Sequence, residues 1–249
     1  MKIGYELPIL MYHRIVDSKS EVGKHNIYVK VDRFRKQLEY IKNKGYQTIT
    51  FRDLAKIQDP GQLYKKIILT FDDGYEDNYT LLFPLLKEFN YTAVIFLVTQ
   101  LTQNEWGIRE GEPALKLMNK EQLIEMDKYG IEFGGHTQTH VDLKKAPADQ
   151  AKQEIEGSKR DVENIVPNPV ISFAYPFGAF NEESKKIVNA AGYKYGIATK
   201  SGPFNWKDDL FQMRRIEIGS QTIMPVFKRK VSGNYNHKKF DQLEFVGLK

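Results

Sequence analysis

Short apolar runs and amphipathic stretches alternate along the whole chain. Leu7-Pro8-Ile9-Leu10-Met11-Tyr12 is apolar throughout and runs into His13 and Arg14, which predicts a buried strand ending on polar groups. After a polar loop over 18–26, residues 31–45 switch to a helical period, with Phe34, Leu38 and Ile41 on one face, Asp32 as N-cap and Gly45 as the stop. A short strand over 46–50, a short helix over 51–57 and an Asp59-Pro60-Gly61 turn lead to a second apolar strand over 67–71. The next helix ends near Asn90, and Pro84 predicts a kink or an interrupted start. Residues 91–99, built on Val94-Ile95-Phe96-Leu97-Val98, form the most hydrophobic strand and are expected to be central. A polar loop over 101–113 carries Trp106. Asn119 caps a helix over 121–129 that Gly130 ends, and a strand over 131–134 follows. Beyond it come a charged helix over 148–164, a strand over 170–175, a helix over 181–191 and a strand over 193–199. A loop over 201–209 with Trp206, a last strand over 215–218 and a helix near 223–231 complete the pattern.

Strand and helix thus alternate seven or eight times, without internal repeat, low-complexity segment or linker, so one α/β domain over 1–249 is expected. The rhythm alone fits a doubly wound sheet and a barrel equally well. Polar groups at the ends of many different strands favour the barrel, whose strand C-termini converge on one rim.

Composition narrows the classes. A formal charge of +5 is mildly basic, and Lys228, Arg229, Lys230, Lys238 and Lys239 cluster late in the chain. A solvated surface accounts for them, with weak attraction to an anionic surface as the alternative. There is no aromatic–basic stripe or recognised module, which argues against nucleic acid as a partner. The chain has no cysteine, so neither disulfides nor thiolate ligands enter. No run is apolar and long enough to span a bilayer, and residues 1–8 lack the apolar core of a signal peptide. Work in the cytosol and export by a segment outside this sequence are both consistent with that.

Two strand ends carry the chemistry. Ile67-Ile68-Leu69-Thr70-Phe71 runs straight into Asp72-Asp73-Gly74. Adjacent carboxylates repel, and they need a cation, a shared proton or open water. Taken alone, the pair reads as a solvated turn. Residues 131–140 read Ile-Glu-Phe-Gly-Gly-His-Thr-Gln-Thr-His, a strand, a flexible glycine pair, then two of the chain's five histidines four apart. A helical turn there would put His136 and His140 on one face, able to grip one ion. An Asp and two His leave metal positions open for water and substrate, and together the two stretches make the metal reading much the stronger.

Thr70-Phe71-Asp72-Asp73-Gly74 followed by His136-Thr137-Gln138-Thr139-His140 resembles the first two motifs of the polysaccharide deacetylases, carbohydrate esterase family 4. Phe173-Ala174-Tyr175-Pro176-Phe177-Gly178 resembles an altered third motif, and the likeness covers nearly the whole chain. It implies a distorted, incomplete, TIM-like (β/α) barrel of seven to eight strands. It also implies metal-dependent removal of acetyl groups from N-acetylated sugars of a polysaccharide: poly-N-acetylglucosamine, a chitin-like polymer or a peptidoglycan glycan. Carried over by motif, Asp73, His136 and His140 hold one divalent ion, zinc foremost, with cobalt, nickel, iron or manganese as alternatives. Asp72 becomes the general base. The oxyanion donor falls on the backbone N–H of Phe177, because Pro176 has none, with Tyr175 as second choice. Ala174 stands where the family often has an arginine that orients the base; Arg215 could supply that charge from another strand, or could be a surface residue.

Most members carry the general acid as a late-motif histidine. After His140 this chain has only His237, in a polar basic tail, whereas His13 ends the first strand. A closed barrel sets first and last strands side by side, so an early strand can take a late motif's place. That layout resembles the permuted bacterial deacetylases acting on poly-β-1,6-N-acetylglucosamine, and His13 is the expected acid. Trp206 is expected to wall the acetyl pocket or stack on a sugar, with a core position equally open. The loops over 101–113 and 201–209 are expected to flank an open groove suited to a polymer. Two other functions compete: an O-acetyl esterase on xylan-like polymers, and a non-catalytic carbohydrate-binding relative, which the intact Asp72 argues against. A monomer is expected.

Overall fold

The computed structural model describes residues 6–20, 22–201, 204–205 and 208–232. Trp206 and His237 lie outside the described residues.

Seven parallel strands form the wall of the fold: β1 (Ile9–Tyr12), β2 (Lys66–Phe71), β3 (Val94–Leu97), β4 (Glu132–Gly135), β5 (Ser172–Ala174), β6 (Tyr195–Ser201) and β7 (Met213–Glu217). Their spatial order is β1-β7-β6-β5-β4-β3-β2, and β2 pairs back to β1. The closing register is Ile9 with Ile68, Leu10 with Leu69, Met11 with Thr70 and Tyr12 with Phe71. The ring is therefore a closed barrel, one strand short of the regular eight. Its distortion is visible beside β2. The stub Gln47–Thr48, all that forms of the strand expected over 46–50, pairs with Lys66 and Ile67. Farther along β2, β3 pairs with Thr70 and Phe71.

Period-two alternation divides each strand between two cores. Ile9, Ile68, Val94, Phe96, Ile197 and Met213 pack inside the barrel, with Phe51 and Leu54 of the short helix Phe51–Leu54. This helix closes the N-terminal mouth: the Arg52 N–H donates to buried Glu132, the first residue of β4, at 2.8 Å. Leu10, Leu69, Phe71, Ile95 and Phe133 face outward instead, against a layer of helices. These are α1 (Val31–Asn43), α2 (Phe83–Phe89), α3 (Lys120–Tyr129), α4 (Ala148–Glu163), α5 (Glu182–Ala190) and α6 (Met224–Val231). Phe34, Leu38 and Ile41 of α1 are fully buried there, as their spacing requires.

Helix ends follow local chemistry, with exceptions. Asn119 and Asn181 cap α3 and α5 through capping boxes, and Gly130 ends α3 at φ 109°. Asp32, expected as the N-cap of α1, sits in its first turn; Lys30 holds the cap position and makes no side-chain cap bond. Pro84 does interrupt its helix, where a π-turn at Asn78–Leu82 gives way to α2. The loop over 101–113 contains a short helix, Glu105–Arg109, and within 201–209 the strand Phe204–Asn205 pairs with Glu6–Leu7.

Phe71 joins the outer core to the site. Its ring stacks on Tyr12 at 5.0 Å and meets Phe34 edge-on at 5.9 Å. Phe71→Ala should destabilise the protein by about 3–5 kcal/mol, since the rigid surrounding rings would collapse only in part. Urea denaturation followed by circular dichroism measures this.

Candidate active site

The alternation that turns Ile68 and Thr70 inward carries Asp72 inward as well, at the C-terminal rim of the barrel. Plain continuation of the strand would aim Asp73 at the helices. Instead Asp73 adopts φ 76° and Gly74 φ 77°, so the turn begins at the aspartate itself. A left-handed non-glycine residue costs on the order of 1–3 kcal/mol and persists only where its surroundings hold it.

The two neighbours then face different partners. Asp72 is buried against Arg215, which donates from Nη1 to Oδ1 at 2.6 Å and from Nη2 to Oδ2 at 2.7 Å. Arg215 is itself fully buried inside the barrel, also donating to Thr70 Oγ1 at 3.1 Å and to the Ala198 carbonyl at 3.0 Å. The surface alternative for Arg215 is overturned. Burial alone would raise the Asp72 carboxyl; the charge and hydrogen bonds of Arg215 outweigh it and leave the group below its ordinary value. His13 enters from the end of β1, its Nε2 4.0 Å from Asp72 Oδ2, and is partly exposed to the cleft.

Asp73 faces the two histidines. His136 Nε2 lies 3.4 Å and His140 Nε2 3.3 Å from Asp73 Oδ1. This oxygen is buried and accepts no hydrogen bond. Among the described residues, Asp73, His136 and His140 are the group of His, Asp or Glu side chains whose ligand atoms all lie within 4.8 Å of one another. His136 Nδ1 is 2.7 Å from the Ala174 carbonyl oxygen, which can only accept, so the ring N–H lies there and Nε2 presents its lone pair to Asp73. Burial holds His140 below the usual imidazole range. An orphaned carboxylate oxygen with two imidazole nitrogens converging on it fits a divalent cation.

The two histidines do not lie on a helical turn. Thr137 and His140 have φ 66° and φ 61°, and the Thr137 hydroxyl accepts the His140 N–H at 2.9 Å. Nor is the glycine pair a hinge, since Gly134 and Gly135 complete β4. A Cβ on Gly134 would stand 2.7 Å from the Ser172 carbonyl oxygen, so glycine serves close strand packing.

A cleft of about 370 Å³ opens over these groups, lined among others by His13, Trp106, His140, Phe177, Thr199 and Glu217. Trp106 stacks on His140 at 4.2 Å, and the Phe177 ring meets it edge-on at 4.6 Å. Phe177 turns at φ 58°. Tyr175, the second choice for oxyanion donor, is excluded: its N–H donates to the Ile197 carbonyl at 3.1 Å and its hydroxyl to the Phe211 carbonyl at 2.8 Å. Sequence reasoning missed Thr199 and Glu217, although each shares an inward alternation, with Ile197 and with Arg215 respectively. It also missed the link between the loops around 24 and 112. The Lys24 and His25 N–H groups donate to Glu112 at 2.7 and 2.9 Å, which makes the polar loop over 18–26 part of the cleft wall.

Comparison with known proteins agrees with this architecture. Residues 61–196, just over half of the chain, match the family described as Polysaccharide deacetylase. Bacillus subtilis YxkH, assigned to the polysaccharide deacetylases, is 30% identical over 215 residues, covering 86% of this chain and 71% of that protein. The poly-β-1,6-N-acetyl-D-glucosamine N-deacetylase of Staphylococcus epidermidis is 25% identical over 213 residues, covering 82% of this chain and 72% of its own length. The solved structure of the Streptococcus pyogenes deacetylase PplD in complex with acetate superposes with a TM-score of 0.78 at 30% identity, covering 91% of this chain and 98% of that one. With the motifs, the barrel and the convergent Asp–His–His group in agreement, the chain belongs to the polysaccharide deacetylase family.

Proposed function

We propose that the protein is a metal-dependent polysaccharide N-deacetylase, hydrolysing the acetamide of N-acetylated sugars to acetate and a free amine. The observation that carries this reading is the division of labour between adjacent carboxylates: Asp73 faces two imidazoles while Asp72 is held by Arg215 and faces His13. A carboxylate facing a histidine beside the three converging ligands is the pairing that hydrolysis, rather than binding alone, employs.

Asp73, His136 and His140 would hold one divalent ion, zinc foremost; when bound it supplies acidity to water and polarises the substrate carbonyl. Asp72 accepts the proton of the attacking water, and Arg215 keeps that carboxyl ionised and fixed in orientation. The Phe177 N–H, at the left-handed turn on the cleft, is the proposed donor to the developing oxyanion. His13 Nε2 delivers a proton to the departing nitrogen as the C–N bond breaks. Trp106 and Phe177 pack on His140 and wall the space for the acetyl methyl group. The aromatic wall that the sequence suggested at Trp206 is thus supplied, within the described residues, by Trp106.

The N-deacetylase among the relatives supports a polymer of N-acetylglucosamine as substrate, and an open cleft walled by the loops over 18–26 and 101–113 suits a chain; the described residues of 201–209, expected as the other flank, do not line it. The single closed ring of strands supports one catalytic domain; a span of 1–249 and work as a monomer on envelope or extracellular glycan belong to the same proposal. Among the described residues, no helix is long and apolar enough to cross a membrane.

Acetate release from acetylated oligosaccharides, with chelator and with added metal, is the direct test; activity indifferent to chelation would refute the reading. Asp72→Asn should retain metal and lose about a hundred- to ten-thousand-fold in kcat, whereas Asp73→Asn should lose metal. Metal analysis of the purified variants separates the two roles.

His13→Ala should leave metal content unchanged and lower kcat more than KM. An activated O-acetyl ester, whose leaving group needs little protonation, should suffer far less than an N-acetyl sugar. Equal losses on both would remove His13 from the acid role.

Arg215→Met would leave Asp72 buried without its cation, at a cost of about 3–5 kcal/mol at neutral pH. In the unaltered protein the depressed Asp72 carboxyl stabilises the fold above the unfolded-state value near 3.9, and that contribution is lost as pH falls through the folded-state value. In the variant burial raises the carboxyl, so the stability gap should narrow on acidification and the acid limb of activity should move to higher pH. Urea denaturation and rate profiles across pH read both.

A further inference from the structure

The loop that carries both histidines is held from outside by one helix. Between His136 and His140 the chain makes no regular secondary structure, and two of its non-glycine residues, Thr137 and His140, are left-handed. Glu154 of α4 meets this loop end-on. Its Oε2 accepts the N–H groups of Gln138 at 2.7 Å and Thr139 at 2.9 Å, and its Oε1 accepts the Thr139 hydroxyl at 2.6 Å. One helical turn later a Cβ on Gly157 would lie 2.3 Å from the Gln138 side-chain carbon, so the loop rests on the bare helix backbone there. A further turn on, Asp161 accepts the Gln138 amide at 2.8 Å. Glu154, Gly157 and Asp161, at i, i+3 and i+7, thus form one stripe of α4 fitted to the histidine loop.

We propose that Glu154 is the positioning residue of the metal site: by accepting two backbone N–H groups at the right reach, it locks the loop in the conformation that aims both imidazoles at Asp73. This rests on the metal reading above. Glu154 touches neither ligand side chain, so its effect passes through the backbone. Thr139 is exposed, so water can replace the lost acceptor when Glu154 is removed. Loss of Glu154 therefore frees the loop without unfolding the barrel. Three substitutions separate geometry from charge. Glu154→Gln keeps the reach: its carbonyl oxygen can accept both N–H groups while its amide donates to the Thr139 hydroxyl. Glu154→Asp keeps the charge but ends one methylene short. Glu154→Ala removes both.

The measurement is zinc affinity of the metal-free proteins by competition with a chromophoric chelator, with circular dichroism and thermal melting as checks on folding. Glu154→Ala and Glu154→Asp should bind zinc about 10- to 100-fold more weakly, as loss of an outer support to a ligand typically does. Glu154→Gln should bind close to normally. Unchanged affinity in folded Glu154→Ala, or an equal loss in Glu154→Gln and Glu154→Asp, would overturn the assignment. If Glu154→Ala fails to fold, the Gln–Asp pair decides alone. Asp73→Asn is the reference: if it too keeps its zinc affinity, the metal reading has failed, whereas a loss confined to Asp73→Asn overturns only the role of Glu154.

Discussion

A buried guanidinium and a buried carboxylate hold the mouth of the barrel together. Neither Arg215 nor Asp72 could lie alone in that interior, because removing a charge from water costs several kcal/mol unless a partner and full hydrogen bonding offset it. Arg215 meets the condition with donors to both Asp72 oxygens, to Thr70 and to the Ala198 carbonyl, and its guanidinium lies 5.7 Å from the centre of the Phe96 ring. The pair joins β7 to β2 across the barrel. It also settles the conflict between Asp72 and Asp73: with Asp72 neutralised inward, its neighbour is left to the imidazoles.

Around that pair the site consists of strained turns at strand ends. Asp73, Thr137, His140 and Phe177 all have positive φ without being glycine. Each left-handed turn breaks the alternation of its strand and brings a side chain or N–H onto the rim that regular geometry would send elsewhere. Such turns need rigid support, and it comes from the strands beneath and from α4 beside them. The N-terminal end, closed by Phe51 and Leu54 over Glu132, shows the opposite character: ordinary packing around one satisfied carboxylate.

Ring closure is the other constraint with chemical consequences. Because β1 lies between β2 and β7, the residue that follows β1 stands beside the residue that follows β2. His13 and Asp72 are 59 positions apart in the chain and 4.0 Å apart in space for this reason.

Much of the site could be read from the chain itself. Apolar runs ending in Asp72-Asp73-Gly74 and His136, and a histidine closing the first apolar run, announce a rim of polar groups because strand interiors and strand ends demand different chemistry. Alternating periods announced the β/α order, since each element must bury one face. Other features depended on distant parts of the chain meeting. Arg215 reads equally as a surface residue until β7 closes beside β1 and turns it inward onto Asp72. Helical spacing of His136 and His140 suggested a helix, but the bonds that form their turn come from Thr137 and from Glu154 of a later helix. Tyr175 looked available until β6 took its N–H. Local sequence determined which residues end strands and so carry chemistry, because burial and turn propensity act over a few residues. Which of those residues face one another was decided only by the closed ring, whose register sets the partners of every charge inside it.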